Sequence, residues 1–219
     1  MSMRLLLIRH GQTPSNVEGL LDTRIPGPGL TELGFEQAAA VPAALAGETV
    51  DAIYVSVQVR THLTSAPLVD ATGLVPAERA GIREIQSGDY EMLGDEKSVH
   101  GYMSTIFAWT QDPDTRMPGG ESGTEVMDRY NAVIAEAYEA GYGTVAMFSH
   151  GAVIRAWVGH NALNVGPDFV RDNSLGNTGI VVLEGSPETG WTAISWMGAA
   201  VGGPSVDDVA HAGPTGESA

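Results

Sequence analysis

Two histidines of this chain follow apolar, strand-like runs, and each is preceded by a polar residue and followed by a glycine. The two motifs are Arg9-His10-Gly11 and Ser149-His150-Gly151. Imidazole nitrogens can act as nucleophiles or move protons near neutral pH. Arginine presents a planar fork that suits the oxygens of a phosphate group. These residue types predict a pocket for a compact dianion beside a nucleophilic nitrogen, where a phosphohistidine could form.

A second guanidinium follows another predicted strand. The apolar residues 50–55 end at Ser56, and Arg60 begins the next predicted helix. The helix dipole disfavours a cation at that position, which indicates a functional role for Arg60. The N-termini of the helices predicted after residues 14, 60 and 151 would present backbone N–H groups to the same anion.

Transfer of a phosphoryl group from an ester also needs an acid that protonates the leaving oxygen. A carboxyl group with a raised pKa can supply that proton. Glu84, Asp89 and Glu91 lie in the irregular segment 82–97. Their spacing does not decide among them.

The elements that must position these groups alternate between strand and helix. Strands are predicted near residues 5–8, 50–55, 144–148, 180–183 and 191–196, with helices near 31–46, 60–71, 98–111 and 152–162. This order predicts an α/β fold: a single-domain three-layer sandwich, its mainly parallel sheet flanked by helices, with one antiparallel edge strand. Because the carboxyl ends of parallel strands share one edge, we expect the two histidines to face one pocket there.

The domain is predicted to comprise residues 1–198. Residues 199–219 are dominated by Gly, Pro, Ser and Asp, so we expect a loosely ordered tail. No linker divides the chain further. If the tryptophan-bearing strands within 180–196 reach the edge of the sheet, they offer an interface through which a homodimer could form.

Composition narrows the function classes. The 219 residues carry a net charge of −16, from 11 basic and 27 acidic residues, which argues against nucleic acid or an anionic membrane as partner. The absence of cysteine excludes disulfides, thiolate metal sites and a cysteine nucleophile. No metal site is predicted from the histidine spacings. With neither a signal peptide nor a run of about 18 apolar residues, we expect a cytoplasmic protein.

Five elements in chain order, between about residues 4 and 180, resemble the histidine phosphatase superfamily, also called the phosphoglycerate mutase-like family. They are Arg9-His10-Gly11-Gln12-Thr13 with Asn16; Ser56 to Arg60; Glu84; Gly119-Gly120-Glu121-Ser122; and Ser149-His150-Gly151 with Ile154-Arg155. A lone Arg-His-Gly is a weak signal, whereas five ordered elements make a chance match very improbable.

The resemblance implies roles for individual residues. His10 is the nucleophile that becomes phosphorylated, and Glu84 is the proton donor that later activates water. Arg9, Arg60 and His150 bind the phosphoryl group. Asn16 donates to a phosphate oxygen. We also predict that the substrate is bound by Gly11, Gln12, Thr23, Arg24 and Gly151. For Arg24 the alternative is a solvated surface position. No metal or organic cofactor is implied.

The resemblance covers more than one function. We predict a phosphomonoester hydrolase acting on a small phosphorylated metabolite. The alternatives are a phosphoglycerate mutase-type phosphoryl transferase and a non-catalytic binder of phospho-ligands. The mutase branch resembles longer chains with more basic residues around a bisphosphate, so 11 basic residues favour hydrolysis.

Overall fold

The computed structural model describes residues 2–215. Within that range the strands are β1 (Met3–Arg9), β2 (Ala52–Val55), β3 (Ala77–Glu78), β4 (Thr144–Ser149), β5 (Ile180–Ser186) and β6 (Gly190–Met197). The helices are α1 (Pro14–Val17), α2 (Glu32–Ala44), α3 (Val59–Thr72), α4 (Glu96–Ala108), α5 (Gly123–Glu139), α6 (Gly151–Asn161) and α7 (Pro167–Asp172). Short 3₁₀ turns cover Ala80–Ile82, Gly88–Tyr90 and Val209–His211.

The strands of residues 2–215 form one six-stranded sheet in the order β3-β2-β4-β1-β5-β6. Strands β3, β2, β4 and β1 pair in parallel. Strand β5 runs antiparallel to both β1 and β6. The predicted α/β sandwich with a mainly parallel sheet is therefore confirmed. The antiparallel strand, however, lies one position in from the edge, because the short Ser186–Gly190 turn places β6 outside it.

Alternating side chains of the central strands bury both faces of the sheet. Leu5 and Leu7 contribute to a core with helices α4, α5 and α6, whereas Leu6 and Ile8 contribute to a second core with α2 and α3. All four side chains are fully buried. A continuous aliphatic run suits a strand covered on both sides, which is the reason for the three layers.

Helix α5 shows how the sequence fixes an element on one face. Ser122 accepts a hydrogen bond from the backbone of Glu125, whose side chain accepts one from the Ser122 backbone, so a capping box begins the helix. Its buried face then repeats at helical spacing through Val126, Tyr130 and Val133.

Residues 199–215 pack against the domain instead of forming the loosely ordered tail that their composition predicts. Ala200, Val201 and Ala212 are buried, at 4%, 2% and 3% exposure. The Val206 carbonyl accepts a hydrogen bond of 2.8 Å from Gln37 of helix α2. Small side chains and backbone hydrogen bonds hold this segment, and residues 216–219 lie outside the described range.

Among residues 2–215, no helix combines the length and the apolar character needed to cross a membrane.

Candidate active site

The carboxyl ends of β1, β4 and β2 lie side by side and bring the predicted histidines together. Arg9 is in register with Ser149, and the His10 backbone N–H donates to the Ser149 carbonyl at 3.1 Å. The Ser56 N–H donates to the Phe148 carbonyl at 3.2 Å. The ring centroids of His10 and His150 are 5.2 Å apart. Three strand ends therefore bring these side chains together at one edge of the sheet.

His10 is held as a neutral imidazole of one tautomer. Its Nδ1 lies 2.8 Å from the Gly11 carbonyl, which can only accept, so Nδ1 carries the proton. The lone pair then resides on Nε2. The ring is 5% exposed, and burial holds its pKa well below the ordinary value of 6.5. The charges of Arg60 and Arg9 lower that pKa further. Neutral imidazole is the nucleophilic form.

A buried chain of hydrogen bonds fixes the second histidine. The Arg60 Nε–H donates to His150 Nδ1 at 3.3 Å, so the His150 proton lies on Nε2 and is donated to Ser56 Oγ at 2.9 Å. Ser56 donates in turn to Gln58 Oε1, and Gln58 Nε2 donates to the Thr23 carbonyl at 3.1 Å. Burial, followed by the charge of Arg60, holds the His150 pKa well below its usual value. Both site imidazoles are thus neutral.

The two guanidiniums of the site are buried and aimed by backbone carbonyls. Arg9 is fully buried and donates from Nη1 to the Leu175 carbonyl at 2.7 Å and from Nη2 to the Ala212 carbonyl. Arg60 is 3% exposed and donates from Nη2 to the Asp22 carbonyl at 3.2 Å. Burial lowers the pKa of Arg60 from its usual value, while the nearby carboxylate of Glu84 opposes that shift.

Glu84 combines a buried carboxyl group with the start of a helix. Its Oε1 accepts from the backbone N–H groups of Ile85 and Val153 at 2.9 Å each, and its Oε2 accepts from Ala152 at 3.2 Å. Two of these donors belong to the first turn of α6. Glu84 is 4% exposed, and its burial raises the pKa of the carboxyl group. The three N–H groups and the charge of Arg60 lower that pKa, but by less than burial raises it. Such a carboxyl group is suited to donating a proton.

The cavity between these groups has a volume of about 340 Å³. Of the predicted catalytic residues, His10, Arg60 and Glu84 line it, and of the three candidate carboxylates it is Glu84 that does so. The predicted substrate-binding residues Asn16 and Thr23 also line the cavity.

The remaining predicted substrate-binding residues lie behind the cavity wall or outside it. The Gln12 amide is 3% exposed and donates to Asp208 Oδ2 at 3.1 Å. A Cβ at Gly11 would lie 2.7 Å from the Gly34 carbonyl of helix α2, and one at Gly151 would lie 3.0 Å from Arg9 Nε. Both glycines therefore permit close packing behind the site.

Arg24 lines a wider neighbouring cavity of about 830 Å³, to which Arg83, Gln86 and Glu91 also contribute. The Arg24 side chain is 71% exposed and lies 3.9 Å from Glu91. Thr23 lines both cavities, and its backbone N–H donates to Glu91 Oε1 at 2.9 Å. Thr23 therefore lies where the two cavities adjoin.

Several site residues were not predicted from the sequence. Ser56 and Gln58 belong to the chain of hydrogen bonds that fixes His150. The cavity is also lined by Thr13, Ser15, Leu20, Leu21, Asp22, Pro214 and Thr215. Ser56 carried a usable signal, since it ends a strand as His10 and His150 do. Pro214 and Thr215 carried none, because they are about 200 residues from the first strand and lie in a segment of loop-like composition.

In residues 2–215, no three His, Asp or Glu side chains are grouped as a metal ion would require.

The fold is an α/β sandwich whose sheet brings paired imidazole and guanidinium groups together at one edge. A family model described as "Histidine phosphatase superfamily (branch 1)" matches residues 5–197. The chain belongs to the histidine phosphatase superfamily, which confirms the resemblance.

Similar proteins include both phosphatases and mutases. The chain is 36% identical over 213 residues to PE-PGRS family protein PE_PGRS11 of Mycobacterium tuberculosis, covering 89% of this chain and 36% of that relative. It is 34% identical over 168 residues to 2,3-bisphosphoglycerate-dependent phosphoglycerate mutase of Sinorhizobium fredii, covering 72% and 79% of the two chains.

Among solved structures, mycobacterial glucosyl-3-phosphoglycerate phosphatase in its native form matches with a TM-score of 0.75 at 26% identity. The match covers 90% of this chain and 99% of that one.

Proposed function

We propose that this protein is a phosphomonoester hydrolase that works through a phosphohistidine intermediate on His10. The observation that carries this proposal is the tautomer of His10, whose Nδ1 proton is bound by the Gly11 carbonyl at 2.8 Å. Nε2 is left with its lone pair in a cavity that Arg60 and Glu84 also line. A nucleophile, a cation and a proton donor thus share one small space.

The reaction has two steps. In the first, His10 Nε2 attacks phosphorus, the ester P–O bond breaks, and the leaving alkoxide takes the proton of Glu84. In the second, the Glu84 carboxylate takes a proton from water, the resulting hydroxide attacks phosphorus, and the P–N bond breaks to release inorganic phosphate. Arg60, Arg9 and His150 stabilise the charge on the phosphoryl oxygens.

The charges of the site favour hydrolysis over mutase chemistry. A mutase must hold a second phosphate group while the first is transferred. Arg60 and His10 are the basic side chains lining the 340 Å³ cavity in the described part of the chain. In the neighbouring cavity, Arg83 is already paired with Glu121 and Arg24 lies near Glu91. The relatives' names point to phosphorylated glycerate derivatives, so we propose a small phosphorylated metabolite as substrate.

The test is to trap the intermediate. Wild-type protein, His10→Ala and the control His62→Ala are mixed with a panel of phosphate monoesters, quenched in base and digested for peptide mapping. We expect acid-labile phosphate on the peptide that contains His10, and loss of turnover in His10→Ala. His62 pairs with Glu78 at 3.0 Å outside the cavity, so His62→Ala retains both signals.

The alternatives give different results. Normal turnover in His10→Ala would refute the proposed mechanism. Interconversion of 2- and 3-phosphoglycerate that depends on a bisphosphate primer would establish a mutase. Binding of phosphate or vanadate without hydrolysis of any ester would establish a non-catalytic binder.

A further inference from the structure

Glu84 lies on an irregular segment whose backbone is held by side chains from other elements. We define residues 81–86 as the Glu84 segment. Five consecutive carbonyls of this segment each accept a hydrogen bond from a side chain, and they belong to Gly81, Ile82, Arg83, Glu84 and Ile85. Buried carbonyls outside a sheet or an α-helix need such partners. The position of this segment therefore depends on the side chains that bind it.

Arg129 of α5 makes three of these five hydrogen bonds. Its Nη1 donates to the carbonyls of Gly81 at 2.6 Å and Arg83 at 2.8 Å. Its Nη2 donates to the Glu84 carbonyl at 3.2 Å. A guanidinium has five N–H groups, and the other two bind the carboxylate of Glu121 at 2.8 and 3.1 Å. All five donors of this side chain thus have partners.

Glu121 orients Arg129 and binds the Glu84 segment as well. The two side chains are 12% and 8% exposed, so they form a largely buried ion pair. The Glu121 carboxylate also accepts from Nη2 of Arg83 and from the Gln86 N–H at 3.4 Å. Glu121 belongs to one of the five ordered sequence elements, yet it does not line the 340 Å³ cavity. Its contacts hold the Glu84 segment instead.

The other two carbonyls are bound from the opposite side of the segment. Ser149 Oγ of β4 donates to the Ile82 carbonyl at 2.8 Å, and the Tyr102 hydroxyl of α4 donates to the Ile85 carbonyl at 3.0 Å. Ser149 and Tyr102 are both fully buried. The segment is therefore attached to β4, α4 and α5.

The Glu84 carboxyl group must meet two requirements at once. It accepts from the Ala152 and Val153 N–H groups at 3.2 and 2.9 Å, and it lines the cavity together with His10. A proton donor acts only within hydrogen-bond reach of the leaving oxygen. Because a side chain follows its backbone, a displaced Glu84 segment would displace the donor.

We propose that Arg129, oriented by Glu121, is the positioning residue of Glu84. Its guanidinium fixes the backbone on both sides of position 84, and so holds the carboxyl group at the cavity and against α6. Arg129 does not itself line the cavity, so it acts through Glu84. Glu84 is the proton donor of the proposed function, on which this inference rests.

The test variant is Arg129→Lys, which keeps the charge beside Glu121. A lysine has three N–H donors on one nitrogen and cannot bind a carboxylate and three carbonyls together. The matched control is Arg79→Lys, because Arg79 forms a fork with Glu136 of the same helix at 2.7 and 2.8 Å, outside the cavity. Single turnovers compare an alkyl phosphate with p-nitrophenyl phosphate, whose phenolate leaves without a proton.

We expect Arg129→Lys to slow phosphoryl transfer from the alkyl ester about 10- to 100-fold, since a small misplacement of a reacting group has effects of that size. Transfer from p-nitrophenyl phosphate, and both reactions of Arg79→Lys, should stay within about threefold of wild type. In a Glu84→Gln background, Arg129→Lys should cause no further loss with the alkyl ester, because the group that it positions is gone.

Amide hydrogen exchange followed by NMR tests the same proposal without turnover. The N–H groups of Ala152 and Val153 lie in the first turn of α6, where a helix offers them no acceptor, so Glu84 protects them. We expect both to exchange about tenfold or more faster in Arg129→Lys, and not in Arg79→Lys. The Ile154 N–H, which donates to the His150 carbonyl at 3.1 Å, is the internal control and keeps its rate.

Three results would overturn the proposal: equal rate losses for both esters in Arg129→Lys, an additive loss in the Glu84→Gln background, or unchanged exchange at Ala152 and Val153. If Glu84→Gln does not discriminate between the esters, the proposed acid is wrong, and the exchange rates alone decide whether Arg129 positions Glu84.

A second pair of variants covers the case in which thermal unfolding shows that Arg129→Lys does not fold. Glu121→Gln keeps the shape of the Arg129 partner but loses the fork, and Glu136→Gln does the same for Arg79. We expect Glu121→Gln to slow the alkyl ester about three- to tenfold and to speed exchange at Ala152 and Val153 by a similar factor. Equal results for Glu121→Gln and Glu136→Gln would refute the positioning role.

Discussion

Replacing Glu84 by glutamine removes the proposed acid while keeping its shape, and the effect depends on the leaving group. The carboxyl group accepts three backbone N–H bonds, two at Oε1 and one at Oε2. The glutamine oxygen retains the two bonds at 2.9 Å, but its amide nitrogen faces the Ala152 N–H donor. We expect a loss of about 1–3 kcal/mol in the free energy of unfolding from that unsatisfied donor.

The kinetic effect is larger. General acid catalysis contributes about 10²- to 10⁴-fold, which corresponds to about 3–5 kcal/mol of activation free energy. An alkyl phosphate, whose alkoxide needs a proton to leave, loses rate by that factor in Glu84→Gln. A p-nitrophenyl phosphate, whose phenolate leaves unprotonated, loses about tenfold or less. Phosphoenzyme formation is therefore measured in single turnovers with both esters.

The pH profile supplies a second readout of the same variant. Because burial raises the pKa of Glu84, its acid form persists above the usual range for a carboxyl group. Phosphoryl transfer from the alkyl ester should fall as pH rises through that raised pKa, and this descending limb should be absent in Glu84→Gln. The control is Asp89→Asn, an exposed carboxylate of the same segment that does not line the cavity. Equal rate losses for both esters, or the same losses in Asp89→Asn, would refute the assignment.

Three further results are expected. Gly11→Ala should lower the free energy of unfolding by about 1–3 kcal/mol in urea titrations, because its Cβ would lie 2.7 Å from a carbonyl of α2, whereas Gly47→Ala, with open space, should not. Ser56→Ala removes the acceptor of the buried His150 Nε2–H at 2.9 Å and should cost about 1–3 kcal/mol in the same assay. Since the pKa values of His10 and His150 are lowered, their stabilising contribution is complete above their unfolded pKa near 6.5 and is lost as pH falls below it. NMR titration should find both rings neutral at pH 6.5, and charged rings there would contradict the tautomers assigned above.

Residue periodicity predicted the fold and the meeting of the two imidazoles because those features depend on local pattern. Buried aliphatic runs had to become central strands, and parallel central strands had to end at one edge. The register of Arg9 with Ser149 then follows from neighbouring β1 and β4. The position of β5 inside the edge could not be read in this way, since strand order depends on tertiary packing.

The packing of residues 206–215 could not be predicted, for a different physical reason. These residues are small or turn-forming, and composition alone predicts weak packing for them. Their contacts are made mainly through backbone carbonyls, at Val206, Ala212 and Thr215, whose partners are distant side chains. A carbonyl is present at every residue, so no sequence pattern marks the ones that bind. The Gln12 amide, which we predicted to bind the substrate, donates to Asp208 of this segment.

The hydrogen bonds from Glu84 to Ala152 and Val153 couple the proton of the site to the end of helix α6. A helix N-terminus carries a partial positive charge and stabilises an anion placed on it. In the proposed reaction, the carboxylate that forms when Glu84 gives up its proton is already hydrogen-bonded to that helix N-terminus. If Glu84 is the acid that we propose, the helix that begins directly after His150 is a fixed counter-charge that favours proton donation in the first step and lowers the basicity of the carboxylate in the second.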